Sequence, residues 1–322
     1  MRIHIITAVA IGSVLLAQEP TTIKVDVDVV NVLASVRDKK GALIPNLEKQ
    51  DFTVLEDGKP QSIKYFTRET DLPLTIGMLV DVSGSQANLI GVERSAATQF
   101  FHDVLRKKDM AFLISFGEEA ELLQDFTGSP RLLQAGLEHL RVKSGVSGPM
   151  PGPVPTISQP RGTVLYDAVY LAATDRLSHE VGRKAVVLIT DGIDQGSRLK
   201  IDEAIRAAQK SDTVVYSIYY VDPSAYYGLG YFGGVSDSAL KRMSEETGGR
   251  VFHVDKKHTL PDVFKELQNE LRSQYAITYA PTNEKRDGSF RRIDLRTRDR
   301  NLKVQARKGY YATAPEKPTT GR

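Results

Sequence analysis

The 322-residue chain contains no cysteine. That excludes disulfides, zinc–thiolate sites and a cysteine nucleophile, so the fold has to stand on its core and on any metal held by other ligands. Histidine is sparse: His102, His139, His179, His253 and His258 are scattered, and no His-x-x-x-His pair supplies metal-ligand spacing. There is no glycine-rich phosphate loop ending in lysine, which argues against phosphoryl transfer. An excess of one charge is lacking too. The 43 Lys and Arg against 40 Asp and Glu leave a net +3, small for this length, and no cluster forms a nucleic-acid patch. The densest run, Arg291, Arg292, Arg296, Arg298 and Arg300, alternates with Ile293, Leu295 and acids and reads as the wet face of a strand. One apolar stretch stands out, Ile5–Ala17, preceded by Arg2 and His4 and followed by Gln18-Glu-Pro. It is too short to span a bilayer and has the form of a secretory signal peptide cleaved after Ala17; an uncleaved anchor is the other reading. No later segment is apolar for long enough to cross a membrane. The expected mature protein is therefore exported, periplasmic or extracellular, with no membrane span.

The chain changes rhythm twice. Up to about residue 70 it is β-rich: Val25, Val27 and Val29 alternate, and Phe52–Glu56 is set to pair with Gln61–Phe66 across the Asp57-Gly58 turn. After Leu72, apolar strands alternate with helical stretches, the pattern of a mostly parallel sheet. Strands are expected near Leu74–Val80, Met110–Phe116, Ala120–Leu123, Lys184–Thr190, Thr213–Val221 and Arg250–Val254. Helices are expected near Asn88–Val104, Pro130–Leu140, Val164–Leu177, Ile201–Gln209, Asp237–Glu246 and Leu260–Arg272. Ala120–Leu123 follows a tight connection and is the expected antiparallel edge. From Gln274 strands return, at Tyr275–Tyr279, Ser289–Arg296, Leu302–Gln305 and Lys308–Tyr311. Neither flank has many strands alone, so the two are expected to pair into one β-sandwich-like module with the α/β domain inserted; two separate β caps are the alternative.

Three short pieces carry chemistry. Asp81-Val-Ser83-Gly-Ser85 follows the first apolar strand, Thr163 opens a helix, and Asp191 follows the strand at Lys184–Thr190. Two carboxylates and three hydroxyls on strand-end loops suit a hard divalent cation with oxygen ligands. Loops leaving the carboxyl ends of parallel strands converge on one crevice, which would bring these pieces together. Serine and threonine are neutral, so they hold the ion without quenching its charge. One further hard oxygen can then bind.

In order and in context, these pieces resemble the von Willebrand factor type A (VWFA) domain and its metal-ion-dependent adhesion site (MIDAS), whose Asp-x-Ser-x-Ser, distant Thr and distant Asp are matched by Asp81, Ser83, Ser85, Thr163 and Asp191. The resemblance covers about Leu72 to Arg272. More weakly, the flanks resemble the VWFA-related proteins of acidobacteria, through Val-x-Val-x-Val and Asp51-Phe-Thr-Val-Leu-Glu-Asp-Gly58. It implies a Rossmann-like VWFA domain over residues 72–272, helices on both faces of a mostly parallel sheet. Around it would lie a signal peptide (1–17), an N-terminal β-region (22–70), a C-terminal β-region pairing with it (273–312) and a disordered tail (313–322). It further implies that Ser83 and Ser85 bind the ion directly, that Thr163 binds it directly or through water, and that Asp81 and Asp191 hold metal-bound waters or touch the ion. Mg²⁺ fits the octahedral demand best, with Ca²⁺ or Mn²⁺ possible.

The function implied is non-enzymatic: a protein partner offers a Glu or Asp to the sixth position on the metal. A structural envelope protein with a stabilising metal is one alternative, and a Mg²⁺-dependent hydrolase another. Two loops are expected to set specificity: Ser144–Arg161, rich in Gly, Pro and Ser, and Asp222–Val235, which carries Tyr226, Tyr227, Tyr231 and Phe232 as candidate partner contacts. Asp167 is expected to favour the helix dipole or cap a loop, and Asp194 to anchor its own turn.

Overall fold

The computed structural model describes residues 29–69, 72–142, 162–226 and 235–313. The chain enters through four strands, β1 (Val30–Arg37), β2 (Phe52–Glu56), β3 (Lys59–Gln61) and β4 (Ile63–Glu69). It continues through β5 (Leu74–Asp81), α1 (Ile90–Val104), β6 (Met110–Phe116), β7 (Ala120–Thr127), α2 (Pro130–Leu137) and α3 (Leu165–Leu171), which runs on as a π-helical segment over Ala172–Leu177. Then come β8 (Arg183–Thr190), α4 (Ile201–Lys210), β9 (Thr213–Tyr219), α5 (Ser238–Thr247), β10 (Val251–His253) and α6 (Leu260–Leu271). Four strands close the fold: β11 (Gln274–Tyr279), β12 (Phe290–Thr297), β13 (Lys303–Ala306) and β14 (Gly309–Tyr311).

The middle of the chain builds a six-stranded sheet in the order β10-β9-β8-β5-β6-β7. All neighbours are parallel except β7, which runs antiparallel to β6 at the edge. Both faces are covered, which is why β5 and β8 are buried along their whole length and read as continuous apolar runs. One face packs its apolar side chains, Ile76, Met78 and Val80 among them, against α1, α2 and α6. The other packs Leu79, Val186 and Leu188 against α3, α4 and α5. From β5 the chain winds outward through β6 and β7, then returns to the opposite side of β5 with β8. The switch point is therefore between β5 and β8, and loops leaving their carboxyl ends diverge there to leave a crevice.

The flanking strands form two further four-stranded sheets, β13-β1-β11-β4 and β14-β12-β2-β3, each mixing strands from both ends of the chain. Val32, Val36, Tyr275 and Ile277 of the first share one core with Phe52, Val54, Ile293 and Leu295 of the second. The sandwich-like pairing is thus realised, around the α/β domain. Its seam with that domain is ionic: Arg37 and Arg250 both bind the fully buried Glu270, and Arg307 binds Asp212.

Two expectations need correction. Asp57 (φ 48°) and Gly58 (φ 79°) do make the tight turn, but β2 pairs across it only with Lys59–Gln61. Beyond Ser62 the chain leaves for the other sheet, where Ile63–Glu69 pairs with β11 and Phe66 stacks near Phe52 and Tyr275. Burying Phe66 between the sheets outweighs prolonging the hairpin. Arg291 is also no surface residue. It shares the inward face of β12 with Ile293 and Leu295, is 2% exposed, and lies against the equally buried Glu56 (3.5 Å), while Arg292 and Arg296 keep the wet face. Among the described residues, no helix is long and apolar enough to cross a membrane. The expected signal peptide, the Ser144–Arg161 loop and the tail from residue 314 lie outside the described residues.

Candidate metal centre

Asp81 is the last residue of β5, and Asp191 follows the last residue of β8, its neighbour. Between them lies the crevice. Their carboxylates are almost completely buried, at 0% and 1% exposure. The loop after β5 turns at once. Asp81 Oδ1 accepts from the Ser83 amide (2.9 Å), so the acid fixes the conformation of the loop that carries both serines. Ser83 Oγ and Ser85 Oγ lie 3.1 Å apart, and Ser85 Oγ donates to Asp191 Oδ2 (2.5 Å). Four of the five expected residues therefore meet in one hydrogen-bonded group.

Thr163 joins by its backbone. Its neighbour Val164 donates to the Gly117 carbonyl (2.8 Å), and Gly117 packs against Val82 and the Ser83 amide. The Thr163 carbonyl accepts from the amides of Gln195 and Gly196, four and five residues past Asp191. These chains approach so closely that a Cβ at Gly196 would lie 2.4 Å from the Gly162 carbonyl. Thr163 is 7% exposed, and no hydrogen bond among the described residues links its hydroxyl to the other four. Asp167 and Asp194 complete this lock rather than the metal group. Asp194 Oδ1 accepts from the Leu165 amide (3.0 Å) and so caps α3, while Asp167 accepts from the amides of Arg198 and Leu199.

The electrostatics show what the group lacks. Burial, then the charge of Asp191, pushes the Asp81 carboxyl up to about 7, against partial relief from the Thr190 hydroxyl and Ser83. No cationic side chain is among the influences on it. Two buried carboxylates without a counter-charge, flanked by neutral hydroxyls, form a donor set that a divalent cation fits. Among the described residues, no cluster of three or more His, Cys, Asp or Glu is placed to hold a metal.

Three neighbours were not anticipated. Thr190 Oγ1 donates to Asp81 Oδ2 (2.6 Å) and accepts from the Gly192 amide (3.1 Å), holding the β8 loop against β5. Glu93, on α1 beneath the site, is fully buried and neither carboxyl oxygen has a hydrogen-bond partner among the described residues. Burial, then Asp81 and Asp191, raises its carboxyl well above the usual range. The third is Tyr226. Expected as an exposed partner contact, it is half-buried and turned inward, its hydroxyl donating to Asp191 Oδ2 (2.5 Å). Burial first, then this contact, raises its phenol. Tyr227, Tyr231 and Phe232 lie outside the described residues.

The family model of the von Willebrand factor type A domain matches residues 156–266, about a third of the chain, including Thr163, Asp191 and Tyr226 but not Asp81, Ser83 or Ser85. No curated protein matches. Among solved structures, the chain is similar to the conserved hypothetical protein BatB from Bacteroides thetaiotaomicron (17% identity, 62% of this chain and 97% of that one, TM-score 0.46). It is also similar to proximal thread matrix protein 1 from the mussel byssus with a zinc-occupied MIDAS motif (14%, 66% and 48%, 0.46). A third similar structure is the SpRpn10 VWA domain (13%, 61% and 95%, 0.40). The matched segment and the six-stranded sheet that it enters show a von Willebrand factor type A domain, flanked here by two antiparallel sheets from the ends of the chain.

Proposed function

We propose that this domain is a non-enzymatic binding module that holds a divalent cation at Asp81, Ser83, Ser85, Thr163 and Asp191 and uses it to take an acidic side chain of a protein partner. The observation that carries the reading is the buried, uncompensated Asp81–Asp191 pair, joined through the Ser83 and Ser85 hydroxyls at the sheet's switch point. The two serine hydroxyls and Thr163 serve as neutral donors; Asp81 and Asp191 orient them and supply the charge. When bound, the ion supplies a Lewis-acidic point with an affinity for one further anionic oxygen. A carboxylate is favoured because ion–carboxylate attraction strengthens where water is excluded. The all-oxygen set suits Mg²⁺, with Ca²⁺ or Mn²⁺ as substitutes. The apolar run Ile5–Ala17 supports export, and the flanking β strands support a relationship to the VWFA-related proteins of acidobacteria.

Calorimetry tests this. Mg²⁺ should bind the wild type, and Asp191→Ala should lose at least about tenfold in affinity while keeping its circular dichroism, because it removes the acceptor that Ser85 orients on. Unchanged affinity would refute the site. A peptide rich in Glu and Asp should bind only with Mg²⁺. Heat from Mg²⁺ with no binding of the peptide would favour the structural role, and turnover of a phosphate ester abolished by Asp81→Ala would favour a hydrolase.

A further inference from the structure

One further side chain of the chain points into the Ser83–Ser85–Asp191 group. Tyr226 ends the short 3-10 turn Pro223–Tyr226, and its hydroxyl shares Asp191 Oδ2 with Ser85 Oγ, both at 2.5 Å. That oxygen thereby joins the group of Ser83, Ser85 and Asp191, arriving from the loop that follows β9 rather than from the β5 or β8 loops. The turn is held in place from the loop between β5 and α1. Asn88 Nδ2, just before α1, donates to Asp222 Oδ2 (2.7 Å), and Asp222 Oδ1 accepts from the amide (2.9 Å) and hydroxyl (2.7 Å) of Ser224. These clamps are solvent-accessible side-chain hydrogen bonds, each worth little and each quickly exchanged for water. Tyr226 is therefore positioned over the site by a tether that can be released.

We propose that the Tyr226 hydroxyl is the resting occupant of the open position of the cation site, and that a partner binds by displacing it. The proposal rests on the metal-binding reading above. It also sets the class of ligand. A hydroxyl that donates to Asp191 offers a cation only its dipole, so a carboxylate, with a full charge, outcompetes it. An amide or alcohol offers no more than Tyr226 already does and pays for opening the turn besides. Tyr226 acts as a threshold that admits carboxylates and rejects neutral oxygens.

The test uses the full chain with Mn²⁺ as probe, reading its affinity and its number of exchangeable waters by water-proton relaxation, then titrating acetate and acetamide. Tyr226→Phe keeps the ring and removes the oxygen. It should bind Mn²⁺ within about threefold of wild type, gain one exchangeable water and bind acetate about three- to tenfold more tightly, the fold-change that one displaced hydrogen bond is worth. Asn88→Ala, which only loosens the tether, should shift acetate affinity the same way by less. In wild type, acetate should bind more tightly than acetamide, and Tyr226→Phe should tighten both by the same factor, because the displaced hydroxyl is common to both. Unchanged water number and acetate affinity in both variants would overturn the proposal. So would a loss of Mn²⁺ affinity beyond tenfold in Tyr226→Phe, which would make Tyr226 a positioning residue for Asp191. A wild type that fails to bind Mn²⁺ at all would instead remove the underlying metal site, so the two failures are told apart.

Discussion

Substituting Asp81 by Asn isolates the charge at the centre of the site. The Asn carbonyl can still accept from the Ser83 amide, and its NH₂ can donate to Thr190 Oγ1, which reverses its role. Shape and hydrogen bonding are retained; only the negative charge goes. In the folded protein the Asp81 carboxyl is raised from 3.8 to about 7, chiefly by burial and then by Asp191. Well below pH 3.8 the acid is neutral folded or unfolded and costs nothing. As pH rises towards 7 the unfolded chain ionises first, so the folded state loses stability, and above about 7 the loss is complete. The gap corresponds to about 4 kcal/mol, an upper value because the local structure can relax. In EDTA at pH 8, Asp81→Asn should therefore be more stable than wild type by about 2 to 4 kcal/mol, and the advantage should shrink to about 1 kcal/mol or less near pH 4.5. Saturating Mg²⁺ should restore about 3 kcal/mol to wild type at pH 8 and nearly nothing to the variant. Urea denaturation at both pH values, with and without Mg²⁺, measures all four corners. A variant less stable than wild type at pH 8 in EDTA would refute the argument that the carboxylate is uncompensated.

Other substitutions separate the site from the scaffold. Glu93→Gln should raise the urea midpoint at pH 8 and leave it nearly unchanged near pH 4.5, since the buried acid has no hydrogen-bond partner among the described residues to lose; a lower midpoint at pH 8 would show that its charge is satisfied. Glu56→Ala should cost about 3 to 5 kcal/mol in urea denaturation, because it leaves Arg291 buried without its acid and removes the acceptor of the Tyr279 and Tyr310 hydroxyls. Its Mg²⁺ affinity should not change, as it lies in the flanking β sandwich. Gly196→Ala should lower stability by about 1 to 3 kcal/mol and weaken Mg²⁺ binding in calorimetry, since the added Cβ would force apart the strands of chain that hold Thr163 near Asp191.

Much of the fold was legible because the parallel sheet imposes it locally. β5 and β8 are buried on both faces and so read as unbroken apolar runs, and the short tight connection before β7 marked it as the antiparallel edge. What failed were long-range choices. Nothing near Ser62 states that the chain will change sheets there; the decision belongs to Phe66, whose ring finds Tyr275 more than two hundred residues away. Arg291 was misplaced for want of its partner Glu56, although its even spacing from Ile293 and Leu295 already put it on the inner face. At the site, strand-end acids and turn serines are a local pattern and could be read. Glu93 left a signal that went unused: it interrupts the buried stripe of α1 between Ile90 and Ala97. Tyr226 left none. An aromatic among glycines looks the same whether it faces solvent or an aspartate, and only the tether from Asn88 to Asp222 decides.

The central claim is that these oxygens hold one divalent cation. Crystals grown in Mn²⁺ and measured at a wavelength where manganese scatters anomalously test it directly. A single strong peak is predicted within about 2.0 to 2.4 Å of Ser83 Oγ and Ser85 Oγ, with Thr163 and the two aspartates around it. A map with no peak between Ser85 and Asp191, or with its manganese elsewhere, would contradict the account.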